Sequence, residues 1–378
     1  MSTVKLGDVA IESRESLKEK DKSLPVVGLE HIIPEQINLT EWAIGAENTF
    51  TKTFEKGDIL FGRRRAYLKK AAVAPCKGIC SGDITVIRAK EDKILPELLP
   101  FVIQNDIFFD YAVGKSAGSL SPRVKWEHLE NYKFNLPPLE EQKKLAETLW
   151  QIVDTMESYK KLLVKTSEMI EAKFVEIFGD PLKNSKNWNE CELNQLFLKI
   201  GRGKQPEYCE HSNIHVINQA CIYNNQIKFE NVKYHSEQSN KIKVLLSNGD
   251  VLINSTGTGT LGRCNVFTSK NPDIQYIADG HVTVLKQSEK INSIFMKTYI
   301  NFSKVQALIY SNYVTGSTNQ IELSKEKISK HIIIVPPIQL QNTFAEFVEQ
   351  NEQSKSAIQV SLNSLKQVYK KIIAENLG

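Results

Sequence analysis

Residues 57–88 read GDILFGRRRAYLKKAAVAPCKGICSGDITVIR, and residues 249–285 read GDVLINSTGTGTLGRCNVFTSKNPDIQYIADGHVTVL, the same apolar and Gly/Asp frame with different contents. Farther along, FNLPPLEEQKKLAETL at 134–149 returns as IIVPPIQLQNTFAEFV at 333–348, with Pro137 matching Pro336. The offset is roughly half the chain, far beyond the ~20 to 50 residues of a solenoid unit, so the chain reads as a duplicated domain. The segment after each Pro-Pro keeps its residue types between copies, whereas the part before it keeps only its apolar frame. One scaffold with two separately drifted faces points to two related but different recognition tasks.

At 378 residues the chain has room for two domains of about 135 to 150 residues, each with its own core, plus connecting helices. No stretch approaches the ~18 to 20 apolar residues of a membrane span, and residues 1–20 are charged with no apolar core of a signal segment. Six cysteines, at 76, 80, 191, 209, 221 and 264, are scattered and fit reduced thiols better than a disulfide framework. The expectation is a cytoplasmic protein without membrane association. The net charge of +4 is modest, so any case for nucleic acid rests on local clustering.

From Val4 to about Pro137, short apolar runs such as DILF, ITVI and KFNL alternate with Gly, Pro, Asp and Asn, and a helix is expected at Pro96–Ala112. Leu139 to Phe178 holds no Gly or Pro. Its apolar residues recur at Leu145, Leu149, Ile152, Met156, Tyr159, Leu163, Ile170 and Ile177, a four-three spacing that fails at Thr166 and Lys173. Gly179-Asp180-Pro181 ends that helix. The second copy repeats the order from Asn184 to Pro337. Its terminal helix, Ile338 to about Asn376, carries Phe344, Val348, Ile358, Leu362, Leu365, Tyr369 and Ile372, with Asn351 and Lys355 interrupting.

Helices of about 40 residues span ~60 Å and cannot leave such stripes in water. They are expected to pair as an antiparallel coiled coil that separates two mixed, mostly β domains. The fold class is then α+β with a pseudo-twofold internal repeat: residues 1–136, a central helix at 137–180, residues 181–335, and a C-terminal helix at 336–378.

This order of globular domain, Pro-Pro-x-x-x-Gln helix, globular domain and second such helix resembles the specificity subunit of Type I restriction-modification systems over essentially the whole chain. The matched residues are Pro137, Pro138 and Gln142, then Pro336, Pro337 and Gln341, and residues 57–70 are similar to a stretch of that family's target-recognition domains. The resemblance implies a non-catalytic subunit whose two target-recognition domains each read one half of a split, asymmetric sequence in double-stranded DNA. It also implies that the helices space the halves and dock two modification (methyltransferase) subunits, the Pro-Pro and Gln residues serving as partner contacts. S-adenosylmethionine belongs to those partners, the chain holds no cofactor, and restriction (translocase/nuclease) subunits complete the full complex.

The residues suit that task on their own terms. Between Thr51 and Lys77 eight Lys/Arg stand against Glu55 and Asp58, a local excess of six. Arg63, Arg64 and Arg65 read as a strand with alternating faces, so that one or two reach phosphates or guanine edges, and Lys69 joins them. Tyr67 reads as core. In the second copy the equivalent loop, Asn254 to Arg263, offers Thr256, Thr258 and Thr260 with exposed glycine amides, and Arg263 for charge; Arg202 and Lys204 are further DNA candidates. Loops 113–123 and 314–324 occupy equivalent places and add Lys115, Ser116, Ser119 and Arg123, then Thr315, Ser317, Thr318 and Asn319.

Other constellations fail on context. Gly257-x-Gly259-x-x-Gly262 spells a dinucleotide fingerprint but leads into the strand-like run Cys264 to Phe267, without the helix that would bind phosphate. Cys209, His211, His215 and Cys221 match no standard zinc pattern, and no metal is expected. Cys76 and Cys80 read as core. Neither Pro-Pro is the Asn-Pro-Pro-aromatic motif of amino-methyltransferases, and there is no Walker loop or nuclease carboxylate-lysine cluster. A DNA methyltransferase or nuclease is thereby disfavoured, and a DNA-independent coiled-coil scaffold would leave the arginine cluster unexplained.

Overall fold

The computed structural model describes residues 2–19, 21–45, 47–316 and 321–378. The chain divides into two compact units, Met1–Lys161 with Gln359–Gly378, and Leu162–Ile358.

In the first unit the strand Ile59–Gly62, buried at every position, sits inside an antiparallel sheet with the order Ala10–Ser13, Ile84–Ala89, Ile59–Gly62, Ala71–Val73. The second unit has the same order in Lys199–Arg202, Val282–Lys286, Val251–Asn254, Cys264–Val266. The Gly-Asp pair that opens both repeats explains its own persistence. Gly57 and Gly249 each take φ of +90°, a left-handed conformation that suits a residue without a side chain. Asp58 then accepts from the Glu55 amide at 2.8 Å and takes a two-pronged Arg88 fork at 2.8 Å per arm. Asp250 accepts from the Ser247 amide at 2.8 Å and from Lys286 Nζ at 2.5 Å. A buried carboxylate with a cation and an amide to satisfy it is a structural requirement of the turn.

A three-stranded sheet, Val26–Val27, Gly78–Cys80, Lys52–Phe54, completes the β part of the first unit. Its counterpart has four strands, Tyr208–Cys209, Lys233–His235, Ile214–Ile217, Gln275–Ala278. In each unit the entering strand pairs antiparallel with the strand before Pro-Pro, Ser2–Lys5 with Lys133–Leu136 and Asn189–Glu192 with Ile332–Val335. The single helix expected at 96–112 is two, Leu99–Ile103 and Asp106–Gly114. Asn105 makes the break: its side chain accepts from the Ile107 amide at 3.0 Å and caps the second helix. Of the two cysteines expected in the core, Cys80 is buried and Cys76 is half-buried.

The long helices run Leu139–Phe178 and Ile338–Leu377. In the first unit Ala146, Leu149 and Val153 share one core with Ile373 and Leu377. In the second, Ile170, Phe174 and Phe178 share a core with Phe344 and Val348, and the Phe344 ring centroid lies 5.5 Å and 5.3 Å from those of Phe174 and Phe178. Within each unit, then, the start of one helix packs beside the end of the other, which is antiparallel pairing. Thr166 and Asn351, where the apolar spacing fails, are nonetheless buried. Each turns its polar group onto its own backbone, to Leu162 O at 2.8 Å and Phe347 O at 2.7 Å. Gly179, at φ +85°, closes the first long helix, and the last carbonyls are met by Trp188 Nε1 at 2.9 Å from Phe178 O and Lys186 Nζ at 3.0 Å from Ile177 O. Among the described residues no helix is long and apolar enough to cross a membrane.

Candidate DNA-recognition interface

The arginine run is not a strand. The strand stops at Gly62, Arg65 adopts φ +54°, Lys69 adopts φ +51°, and a single 3-10 turn, Ala66–Leu68, lies between them. Two left-handed residues fold the run into a tight turn in place of an alternating strand, with Arg65 exposed and Arg63 and Arg64 half-buried. Tyr67, expected in the core, is 53% exposed; Ala66 is the buried anchor.

The turn is stitched to loop 113–123, the other candidate segment of the first copy. Arg64 bridges to Arg123, with Arg65 N donating to Pro122 O at 2.8 Å and Val124 N to Arg63 O at 3.0 Å. The second copy repeats the contact at the corresponding positions. Thr256 bridges to Glu322, and Leu323 N donates to Ser255 O at 2.8 Å. In each unit, therefore, the two candidate loops meet.

The charge excess is smaller than the sequence suggests, because carboxylates from outside the segment fold against it. Lys69 pairs with Asp106 at 2.6 Å, Lys52 with Glu12 at 3.8 Å and Arg64 with Asp83 at 3.4 Å. Arg123 Nε donates to Asp83 at 2.7 Å. Burial raises the Asp83 pKa, but the bonds and charges of Arg123 and Arg64 outweigh it and hold the carboxyl below its usual range. Arg65 is exposed and has no side-chain partner among the described residues, which leaves it available to a phosphate or base. Lys115 lies 5.7 Å from the Tyr111 ring centroid, Ser116 Oγ is spent on Ala112 O at 2.9 Å, and Ser119 is exposed.

In the second unit Thr256 is held between Gln219 and His281, each at 3.0 Å, and Thr260 donates to Thr256 O at 3.0 Å. Those two threonines shape the loop, while Thr258 is exposed. Arg263 lies 4.9 Å above the Tyr223 ring, which Lys228 also covers at 4.7 Å. Arg202 pairs with Glu322 and donates to Leu323 O at 2.9 Å, so it braces the loop contact. The Lys204 side chain is exposed, and Thr315 donates to Glu322 O at 3.3 Å. Ser317, Thr318 and Asn319 lie outside the described residues. The Gly257–Gly262 loop passes directly into the strand Cys264–Val266, with no phosphate-binding helix. No three His, Cys, Asp or Glu among the described residues group as a metal site; His215 packs edge-on to Tyr234 and Tyr276.

Of the Pro-Pro-x-x-x-Gln residues expected as partner contacts, four are buried within their own units. Gln142 and Gln341 are 3% and 0% exposed, and Pro137 and Pro336 are buried. Gln142 donates to Pro137 O at 3.0 Å and accepts from Leu95 N at 3.0 Å; Gln341 donates to Pro336 O at 2.7 Å and accepts from Asn292 N at 2.9 Å. Each glutamine locks the first turn of a long helix onto the body before it. Only Pro138 and Pro337 are exposed enough to touch another chain.

Sequence reasoning missed Asp83 and His281, which occupy one repeat position beside the arginines and the threonines respectively. The repeat itself carried the signal, since SGDITVI and ADGHVTVL align with Asp83 on His281. Tyr223 was missed as well; it lies 40 residues before Arg263, and only folding brings the pair together.

The family model for the Type I restriction modification DNA specificity domain matches residues 1–165 and again 185–367. The chain is 20% identical over 356 residues to the protein described as the type I restriction enzyme MjaX specificity subunit of Methanocaldococcus jannaschii, covering 87% of this chain and 80% of that one. It is 30% identical over 107 residues to the type I restriction enzyme EcoDI specificity subunit of Escherichia coli, 28% of this chain and 23% of that one. The fold is shared with the Type-I restriction-modification system S subunit from M. genitalium, at TM-score 0.59 and 12% identity, covering 98% of this chain and 94% of that one. A chain from a structure of the type I R-M system, solved for its complex assembly and conformational transition, gives TM-score 0.57 at 19% identity, covering 99% and 97%. With both of its copies matched, the chain belongs to the Type I restriction modification DNA specificity family, and its function is recognition of DNA.

Proposed function

We propose that each unit reads one half of a bipartite, asymmetric DNA sequence, and that the two long helices set the spacing of the halves and dock two modification subunits. Methylation, with its S-adenosylmethionine, and cleavage by the restriction subunits belong to those partners; this chain selects the site. The observation that carries the reading is the repeated loop contact, Arg64 to Arg123 in one copy and Thr256 to Glu322 in the other. The same backbone platform bears guanidiniums in the first copy and hydroxyls with glycine amides in the second. Arginine forks suit guanine edges and phosphates, whereas hydroxyls and amides accept a wider range of bases, so the platform supports two different half-sequences.

The test is a binding assay with labelled duplexes, with and without modification subunits from the same source, followed by exchange of residues 1–136 for the same domain of a relative. One half of the selected sequence should change and the other should stay. A swap that alters both halves means the units read DNA jointly, and absence of any duplex preference removes the reading.

A further inference from the structure

The most exposed large apolar side chain among the described residues is Leu120, at 89%. Its setting is built. Ala117 and Arg123 exchange both backbone hydrogen bonds at 2.9 Å, and Gly118 turns the chain at φ +113°. The resulting hairpin is braced from the side by Arg65 N on Pro122 O at 2.8 Å and by Arg64 Nη2 on Ser121 Oγ at 3.0 Å. A leucine thus stands at the tip of a supported hairpin, between two serines, with Arg64 and Arg123 at the hairpin base and Arg65 on the adjoining turn. A protein contact would be matched by a contiguous apolar patch. Along this hairpin the neighbours are alanine, glycine, serine, proline and arginine instead, and on the adjoining turn Tyr67 and Leu68, 53% and 41% exposed, stand beside the basic side chains.

We propose that Leu120 is a wedge that enters between two base pairs of the first half-site, while the free Arg65 guanidinium on the adjoining turn and the Ser119 hydroxyl beside it hold the phosphates on either side. The inference rests on the reading of the first unit as a DNA reader and gives that reading a second mode. Apolar side chains carried into a groove by basic neighbours partly unstack one step and bend the duplex. Pyrimidine–purine steps yield most easily, so the wedge would favour such a step without a hydrogen bond to either base.

Duplexes are selected from a random-sequence library by the chain with its modification subunits, and 2-aminopurine then replaces adenine at successive positions of the first half-site. Emission should rise severalfold at one step with the unaltered chain. Leu120→Ala should abolish that rise and weaken binding to the selected duplex by about tenfold with an unchanged salt slope, since no phosphate contact is lost. Leu120→Met should restore most of both, and Ile44→Ala, exposed elsewhere at 68%, should alter neither. Tight binding with flat emission, or a rise that survives in Leu120→Ala, overturns the wedge and leaves the DNA reading intact. Loss of the modification subunits from Leu120→Ala with the emission pattern kept makes the leucine a protein contact and also overturns it. Failure of the unaltered chain to select any duplex removes the underlying reading itself.

Discussion

Asp83 accepts from Arg123 at both carboxylate oxygens, Nε to Oδ1 at 2.7 Å and Nη2 to Oδ2 at 3.4 Å, and the same carboxylate takes Arg64 Nη1 at 3.4 Å. One acid therefore ties the arginine turn to the loop before the last strand and cancels part of its charge. Asp83→Asn should release two guanidiniums to phosphates. Nonspecific DNA binding then tightens and its salt slope steepens by up to about 2 units, at ~0.9 per phosphate. Binding to the cognate duplex should weaken by about 1–3 kcal/mol as the platform loosens, so the specificity ratio shrinks. Titrations against salt with random and selected duplexes measure both, and an unchanged ratio would show that Asp83 does not organise the interface.

Arg65 and Arg64 should behave differently. The Arg65 side chain has no partner among the described residues, so Arg65→Ala should cut the salt slope by about 1 unit if it meets a phosphate, or cost ~1–3 kcal/mol at one base position if it meets a guanine. Arg64 is engaged by Asp83 and Ser121. Its replacement by Ala should chiefly disturb the hairpin, seen as broadened preference at several positions. Equal, uniform effects from both variants would mean that the internal pairs open when DNA binds.

The buried glutamines predict a stability effect at the helix starts. Gln142→Leu strands the Leu95 amide and the Pro137 carbonyl, and Gln341→Leu strands the Asn292 amide and the Pro336 carbonyl. Each should cost about 1–3 kcal/mol by denaturant unfolding, the usual penalty for buried groups left unpaired. Modification subunits should still bind the folded variants. Loss of partner binding with full stability would return these glutamines to a docking role.

Much of this was readable before folding because periodic signals are local. The Gly-Asp turns, the strand DILF and both long helices follow from residues within a few positions of one another, and the repeat doubles each signal. The reading failed where the third dimension decides. Arg63 to Arg65 and Lys69 look like a free cationic run until Asp83, 19 positions from Arg64, and Asp106, 37 positions from Lys69, close on the turn. Gln142 looks like a surface residue until the Leu95 amide, 47 positions earlier, needs an acceptor. Thr166 and Asn351 look like breaks in a seam, although a buried polar side chain can satisfy itself on the preceding turn. Pairing partners distant in sequence were the missing information for the arginines and the glutamine alike.

The long helices predict how the spacing of half-sites responds to their length. Seven residues inserted after Leu163 keep the stripe in phase and add ~10 Å of helix, about three base pairs at ~3.4 Å each. An insertion in one helix alone would bulge against its unlengthened neighbour, so a matching heptad after Leu362 belongs in the same variant. The doubled insertion should raise the preferred gap between half-sites by up to about three base pairs, with both half-sequences unchanged. Selection from duplexes of graded spacer length reads this directly. Should the lengthened chain fold, bind the modification subunits and still choose the original gap, the helices do not set the spacing, and the gap must be fixed by the recognition units or by the partners.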